Sequence, residues 1–136
     1  MKIGCVFLAS LLLITSLAPA PAQLVPAPVA QESGACPNRP ADPEALTSMD
    51  FRERGDFGIL LKNMYKATAY NDIAQSGTCA CEQRFPGWQP VVDYFLENYA
   101  SETDRNRIRE RESFYLRSSN ANRLIVKEIC TAAGNW

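Results

Sequence analysis

Phe57-Gly58-Ile59-Leu60-Leu61-Lys62-Asn63-Met64-Tyr65-Lys66-Ala67-Thr68 decides the fold, because positions 57, 60, 61, 64, 65 and 68 fall at the alternating three- and four-residue intervals of an amphipathic helix. Upstream, Met49 and Phe51 extend the stripe, and Thr47 or Ser48 can cap the segment. Gly77 is a natural stop, and Gly55 and Gly58 in its front half mark a bend or a close helix crossing. A shorter turn is expected just before it, where Asp42-Pro43-Glu44 sets a capping carboxylate ahead of a proline suited to the first helical position, around Pro43 to Leu46.

Downstream the helical grammar continues. Pro90 can open a helix carrying Val91, Val92, Phe95, Leu96 and Tyr99 on one face. Ser101 then caps another, with Glu102 and Asp104 in a first turn where carboxylates suit the helix dipole. Its buried stripe is read as Ile108 and Tyr115, with Phe114 at its margin, resuming at Leu124, Ile125, Ile129 and Cys130 and stopping at Gly134. Between them, Ser118 to Asn122 is polar enough to be either an exposed stretch or a break. Strict apolar–polar alternation is missing, so the expected class is all-α: a small bundle of three to four helices.

Cysteine usage supplies the cross-links. Five cysteines are present and no histidine. Met1-Lys2 followed by the apolar run Ile3 to Leu17 and by Ala20-Pro21-Ala22 reads as a signal peptide, residues 1–22, cut after Ala22 and taking Cys5 with it. Residues 23–35, rich in Pro and Ala, read as a flexible linker, and residues 36–136 as one domain. The run is too short and interrupted for a comfortable membrane span, so a cleaved product without a stable membrane anchor is expected in the periplasm or secreted. Cys36, Cys79, Cys81 and Cys130 then remain as two disulfides. A Cys79 to Cys81 bond would close a very small ring, which leaves Cys36–Cys79 with Cys81–Cys130, or Cys36–Cys81 with Cys79–Cys130. Either way both chain ends are tied to the Cys79-Ala80-Cys81 hub.

Charge and residue type narrow the function classes. Loss of Lys2 from 14 basic residues, against 15 acidic ones, leaves a net charge of about −2, which is no footprint for nucleic acid. The run Arg105, Arg107, Arg109 and Arg111 is interleaved with Glu110 and Glu112 and reads as a solvated helix face. Arg54-Gly55-Asp56 matches an adhesion tripeptide, but it leads into the strong apolar helix instead of a loop. Without histidine a serine or cysteine nucleophile lacks its usual base, thiolate zinc sites lack their common partners, and the pairs Glu97 with Glu102 and Glu110 with Glu112 suggest no cleft. The expectation is therefore a non-enzymatic protein without cofactor or metal. Phe85-Pro86-Gly87-Trp88 is turn chemistry between two aromatics whose rings can cover the core edge. As tryptophan dominates binding hot spots, Phe85, Trp88 and the terminal Trp136 are also the candidate contacts for a protein partner in the cell envelope.

Met49-Asp50-Phe51, Arg54-Gly55-Asp56, Leu60-Leu61-Lys62, Met64-Tyr65, Cys79-Ala80-Cys81, Arg84-Phe85-Pro86 and Gly134-Asn135-Trp136 together resemble small periplasmic accessory proteins of bacterial conjugation or type IV secretion systems. That resemblance implies a periplasmic factor assisting the assembly or operation of a secretion machine, and it carries no catalytic or binding residues with it. Two other roles compete: a small secreted carrier of apolar ligands, and an exported inhibitor or immunity protein. Plant lipid-transfer proteins also combine helices with a Cys-x-Cys, but their adjacent Cys-Cys pair and eight-cysteine framework are absent here.

Overall fold

A capping box starts the central helix: the Asp50 carboxylate accepts from the Glu53 N–H at 2.8 Å while the Glu53 carboxylate accepts from the Asp50 N–H at 3.1 Å. The cap is therefore Asp50, and Thr47 and Ser48 instead turn their hydroxyls back onto the carbonyls of the preceding turn. The computed structural model describes residues 36, 37 and 39–136, with the side chains of Phe51 and Arg52 left aside. The expected signal segment 1–22 and linker 23–35 lie outside the described residues. Five helical segments follow in order: α1 (Glu44–Thr47), α2 (Phe51–Ser76), α3 (Cys81–Arg84), α4 (Gln89–Asn98) and α5 (Arg105–Ala132). The all-α expectation is met, with three substantial helices and two single turns, and no strand among the described residues.

Cross-helix contacts give the topology. Asp56 pairs with Arg105, Asn63 bonds the Glu112 carbonyl, Asn71 meets Ser118 and Asn122, and Cys79 joins Cys130, so α2 and α5 run parallel along their length. Tyr65 stacks on Trp88 whereas Phe57 meets Phe95, so α4 runs antiparallel to α2. The chain thus goes up, down and up, and α2 and α5 share the largest interface. Two apolar clusters result. Leu46, Leu60, Leu61, Met64, Tyr65, Trp88, Val91, Val92, Phe95 and Ile108 fill the end covered by α4, and Ala69, Tyr70, Ile73, Val126 and the Cys79–Cys130 bridge fill the other.

Several expected boundaries and stripes shift, each for a local reason. Asp42 does not cap α1, where Pro43 holds the N-cap position; its carboxylate instead lies 3.4 Å from both Arg39 and Lys62. Ser101 is likewise displaced, by Asp104, whose carboxylate accepts the Asn106 N–H at 2.9 Å. Glu102 lies outside α5 and pairs back to Arg107 at 3.1 Å. Leu96, Phe114, Leu124 and Ile125 are exposed, because α4 and α5 bury narrower faces than their apolar content suggests. On α5 that face is Ile108, Ser119, Val126 and Cys130, in phase at helical spacing, with Val126 taking the inward position expected of Leu124 and Ile125.

Residues 118–122 do not interrupt α5. Instead they form a polar seam against the middle of α2: the Asn71 side-chain oxygen accepts from the Ser118 hydroxyl at 3.2 Å and from the Asn122 amide at 2.6 Å. Between them the fully buried Ser119 donates back to the Leu116 carbonyl at 3.0 Å. Small and hydrogen-bonded, these side chains let two long helices meet without an unsatisfied amide.

Of the two front glycines, only Gly58 lies at a close crossing. A Cβ there would sit 3.2 Å from the Leu46 Cδ1 of α1 and 3.3 Å from the Arg54 Cγ, whereas Gly55 has open space around it. Gly55→Ala is therefore expected to stabilise the fold by about 0.5–1 kcal/mol, the ordinary helix-interior gain. For Gly58→Ala, crowding against Leu46 should remove most of that gain. Thermal denaturation of the two variants side by side checks the difference.

At the same end, Glu112 is half-buried on α5 with its Oε1 unpartnered. Burial pushes its carboxyl above the ordinary 4.5, the Asp56 carboxylate adds to the rise, and Arg109 opposes it. The folded state then holds the proton more tightly than the unfolded chain, so this group's contribution to stability declines as pH rises from about 4.5 through the raised folded value. Glu112→Gln should remove that decline and be more stable than the parent at neutral pH, with the advantage shrinking toward pH 4 in denaturant titrations. An advantage that did not change with pH would contradict this reading.

Candidate partner-binding cleft

The hub that the cysteines build positions this cleft. Cys36 is bonded to Cys81 and Cys79 to Cys130, with Cα separations of 5.2 and 5.1 Å, which resolves the two open connectivities. Gly77 ends α2 in the left-handed region at φ 69°, and the chain turns into the hub. The next turn, α3, is set by Gln83, whose side-chain oxygen accepts the Ala80 N–H at 3.0 Å and whose amide reaches the Ser76 hydroxyl at 3.0 Å. On the far side α5 closes in a Schellman motif: Asn135 N–H donates to the Cys130 carbonyl, Gly134 N–H to that of Thr131, and Gly134 has φ 74°. The Asn135 side chain then donates to the Cys79 carbonyl, fixing the terminal turn to the hub.

Between α2, α3 and the segment around Arg39 lies an open cleft of about 360 Å³. Its walls combine cations and rings: Arg39, Lys62, Lys66 and Arg84 with Tyr65, Tyr70 and Phe85. The Arg39 guanidinium carbon lies 4.8 Å from the Trp88 ring centre and 5.1 Å from that of Tyr65. Lys66 sits 5.3 Å from the Tyr70 ring. Arg84 faces three rings, Trp136 at 4.8 Å, Phe85 at 4.9 Å and Tyr70 at 6.0 Å. Its Nε is out of contact with water and has no hydrogen-bond partner.

Tyr65 anchors the floor. Its ring stacks on Trp88 at 3.9 Å between centres, and its hydroxyl donates to the Pro86 carbonyl at 2.8 Å. Burial holds the phenol above its usual value of 10, against the opposing pull of Arg39 and Arg84, so the donor keeps its proton at any physiological pH. A second tyrosine pair, Tyr99 and Tyr115, with hydroxyls 3.2 Å apart, braces α4 against α5, and burial together with that contact raises the Tyr115 phenol as well.

The three aromatic candidates from the sequence come together around this cleft, in different roles. Phe85 is half-buried in its wall, and Trp136, outside the lining itself, lies behind two of the lining residues, 46 % exposed, 6.4 Å from the Tyr70 ring and 4.8 Å from the Arg84 guanidinium carbon. Trp88 is a correction: only 6 % exposed, it is a core residue behind Tyr65, not a surface contact. Arg39, Lys62, Lys66 and Arg84 escape sequence reading, since they lie on three separate elements and each alone looks like a solvated charge. Elsewhere Arg54-Gly55-Asp56 lies within α2, with the Asp56 carboxylate bound to Arg105 at 2.8 Å. Among the described residues no group of three or more Cys, Asp or Glu is arranged to hold a metal, and no helix is long and apolar enough to cross a membrane. Comparison with family models, curated proteins and solved structures finds no match.

Proposed function

We propose that this chain is a non-enzymatic protein-interaction module of an oxidising compartment, and that the cleft walled by Phe85, with Trp136 beside it, is where it meets its partner. The observation that carries this is Trp136: a large ring held beside Arg84 and Tyr70 by a capped terminal turn, yet still 46 % exposed. A rigid, half-exposed tryptophan next to an open, ring-lined concavity is the arrangement that binding hot spots favour. Two disulfides support a site of action outside the reducing cytosol. Within that reading, the periplasmic accessory role suggested by the resemblance to conjugation and type IV secretion proteins is the specific form proposed. The alternative of an apolar-ligand carrier is favoured less, because Leu60, Leu61, Ile73 and Val126 are fully buried in the interior and the cleft is open and charged. An inhibitor that plugs an enzyme with its aromatic turn loses its leading residue, since Trp88 is packed inside.

Photo-crosslinking in the native envelope tests the proposal. A photoreactive residue at position 85 or 136 should yield a discrete protein adduct, while one at the exposed Lys127 on α5 should not. Adducts equally abundant at all three positions, or at none, would count against the cleft as a partner site.

A further inference from the structure

Resting on the cleft as the partner site, the geometry points to a carboxylate borne on or beside an apolar residue of the partner segment as the group that this cleft takes. The chain as a whole carries a formal charge of −1, yet four of its cations line one concavity. Among the described residues a single acid, Asp42, compensates them, and it engages only Arg39 and Lys62. Lys66 and Arg84 have rings for neighbours in place of carboxylates. Such concentration of one sign of charge at a concave, ring-walled site raises the local concentration of anions and strengthens their pairing.

Arg84 gives the site its selectivity. Rings near its guanidinium restrain that plane, and among the described residues no carboxylate pairs with it. The Nε–H is shielded from solvent and unpaired, so a carboxylate meets this guanidinium at its terminal nitrogens, whose N–H groups form a fork matched to two oxygens. Lys66, on the same wall, adds a point charge without directional demand. Beside these cations the half-buried Phe85 in the wall and the 46 % exposed Trp136 next to Arg84 offer apolar surface to the residue that carries the acid. Such a carboxylate comes from a chain end or from an Asp or Glu side chain, and the chemistry of recognition is the same.

The test is an NMR titration of the oxidised protein, following the Arg84 Nε–H and the Trp136 indole N–H. Three probes separate the sources: N-acetylphenylalanine presents a terminal carboxylate, N-acetylaspartyl-phenylalaninamide a side-chain carboxylate, and N-acetylphenylalaninamide none. Saturable shifts with at least one acid and none with the plain amide are expected, the stronger acid identifying the source. Arg84→Gln should weaken the response roughly tenfold, in line with a charge-assisted hydrogen bond, and Lys66→Gln should weaken it less. Lys66→Gln serves as the deciding variant if Arg84→Gln fails to fold. Equal shifts with acid and amide, equal shifts with inorganic phosphate, or a full response in a folded Arg84→Gln protein would each overturn the carboxylate assignment. Crosslinks at positions 85 and 136 that persist while the acids give no shift would remove the carboxylate and leave the partner site standing. The reverse pattern would remove the protein partner and leave an anion site.

Discussion

Trp88→Ala is expected to destabilise the fold by about 3–5 kcal/mol, the range for emptying a buried large aromatic site. The indole is 6 % exposed, stacks on Tyr65 at 3.9 Å, and packs among Leu61, Val91 and Val92 in the cluster that joins α4 to α2. Its removal also takes away one of the two rings beneath Arg39. For a domain of this size that is a large share of the total stability, so partial unfolding at ambient temperature is expected. Urea denaturation followed by far-UV circular dichroism measures the change. Trp136→Ala, by contrast, should alter stability little, because the ring is 46 % exposed and lies beyond the last helix. Should Trp88→Ala leave the midpoint unchanged while abolishing partner crosslinks, the division between a packing and a contacting tryptophan would be overturned.

The second large effect concerns the buried bridge. Replacing Cys79 and Cys130 together by alanine should cost about 4 kcal/mol in the chain-entropy model. Their sequence separation is 51 residues, and both half-cystines are within the core beside Ile73 and Val126. Double replacement of Cys36 and Cys81, separated by 45 residues, has nearly the same entropic cost. The structural consequences should differ nonetheless. Cys79–Cys130 closes the far end of the α2–α5 pair, which α4 does not reach, and its loss should free the hub and the terminal turn that holds Trp136. Cys36–Cys81 is half-buried and ties down the segment carrying Arg39. Hydrogen exchange should accordingly show increased opening of residues near 126–136 in the first variant and of residues near 36–42 in the second. Identical exchange patterns in both would show that the two bridges act as one unit.

Sequence periodicity revealed the central helix well because α2 meets neighbours on several sides, so its apolar residues have to be numerous and regular. α5 was harder. Its inward face uses Ser119 and Asn122, which reads as a polar gap, while Phe114, Leu124 and Ile125 look like core residues and stand exposed. Composition cannot signal that a serine is buried because its hydroxyl has found a carbonyl one turn back. Cysteine pairing was legible down to two alternatives, and choosing between them depends on which direction each side chain of the hub faces. Of the cleft, Phe85 and Trp136 were visible by residue type. Its charge was not, because Arg39 and Arg84 join Lys62 and Lys66 only when the segment of Arg39 and α3 fold against α2.

The two sulfur bonds at the hub also fix how this protein responds to mechanical load. Tension applied between residues 36 and 136 passes from Cys36 to Cys81, through Ala80 to Cys79, and across to Cys130 before it reaches the terminal turn. That route is covalent throughout and bypasses the hydrogen-bonded lengths of α2, α4 and α5, which hang from it as slack closed rings. Pulled by its ends in the oxidised state, the domain extends by little more than a short tether, and only after reduction of the disulfides do its helices bear the strain.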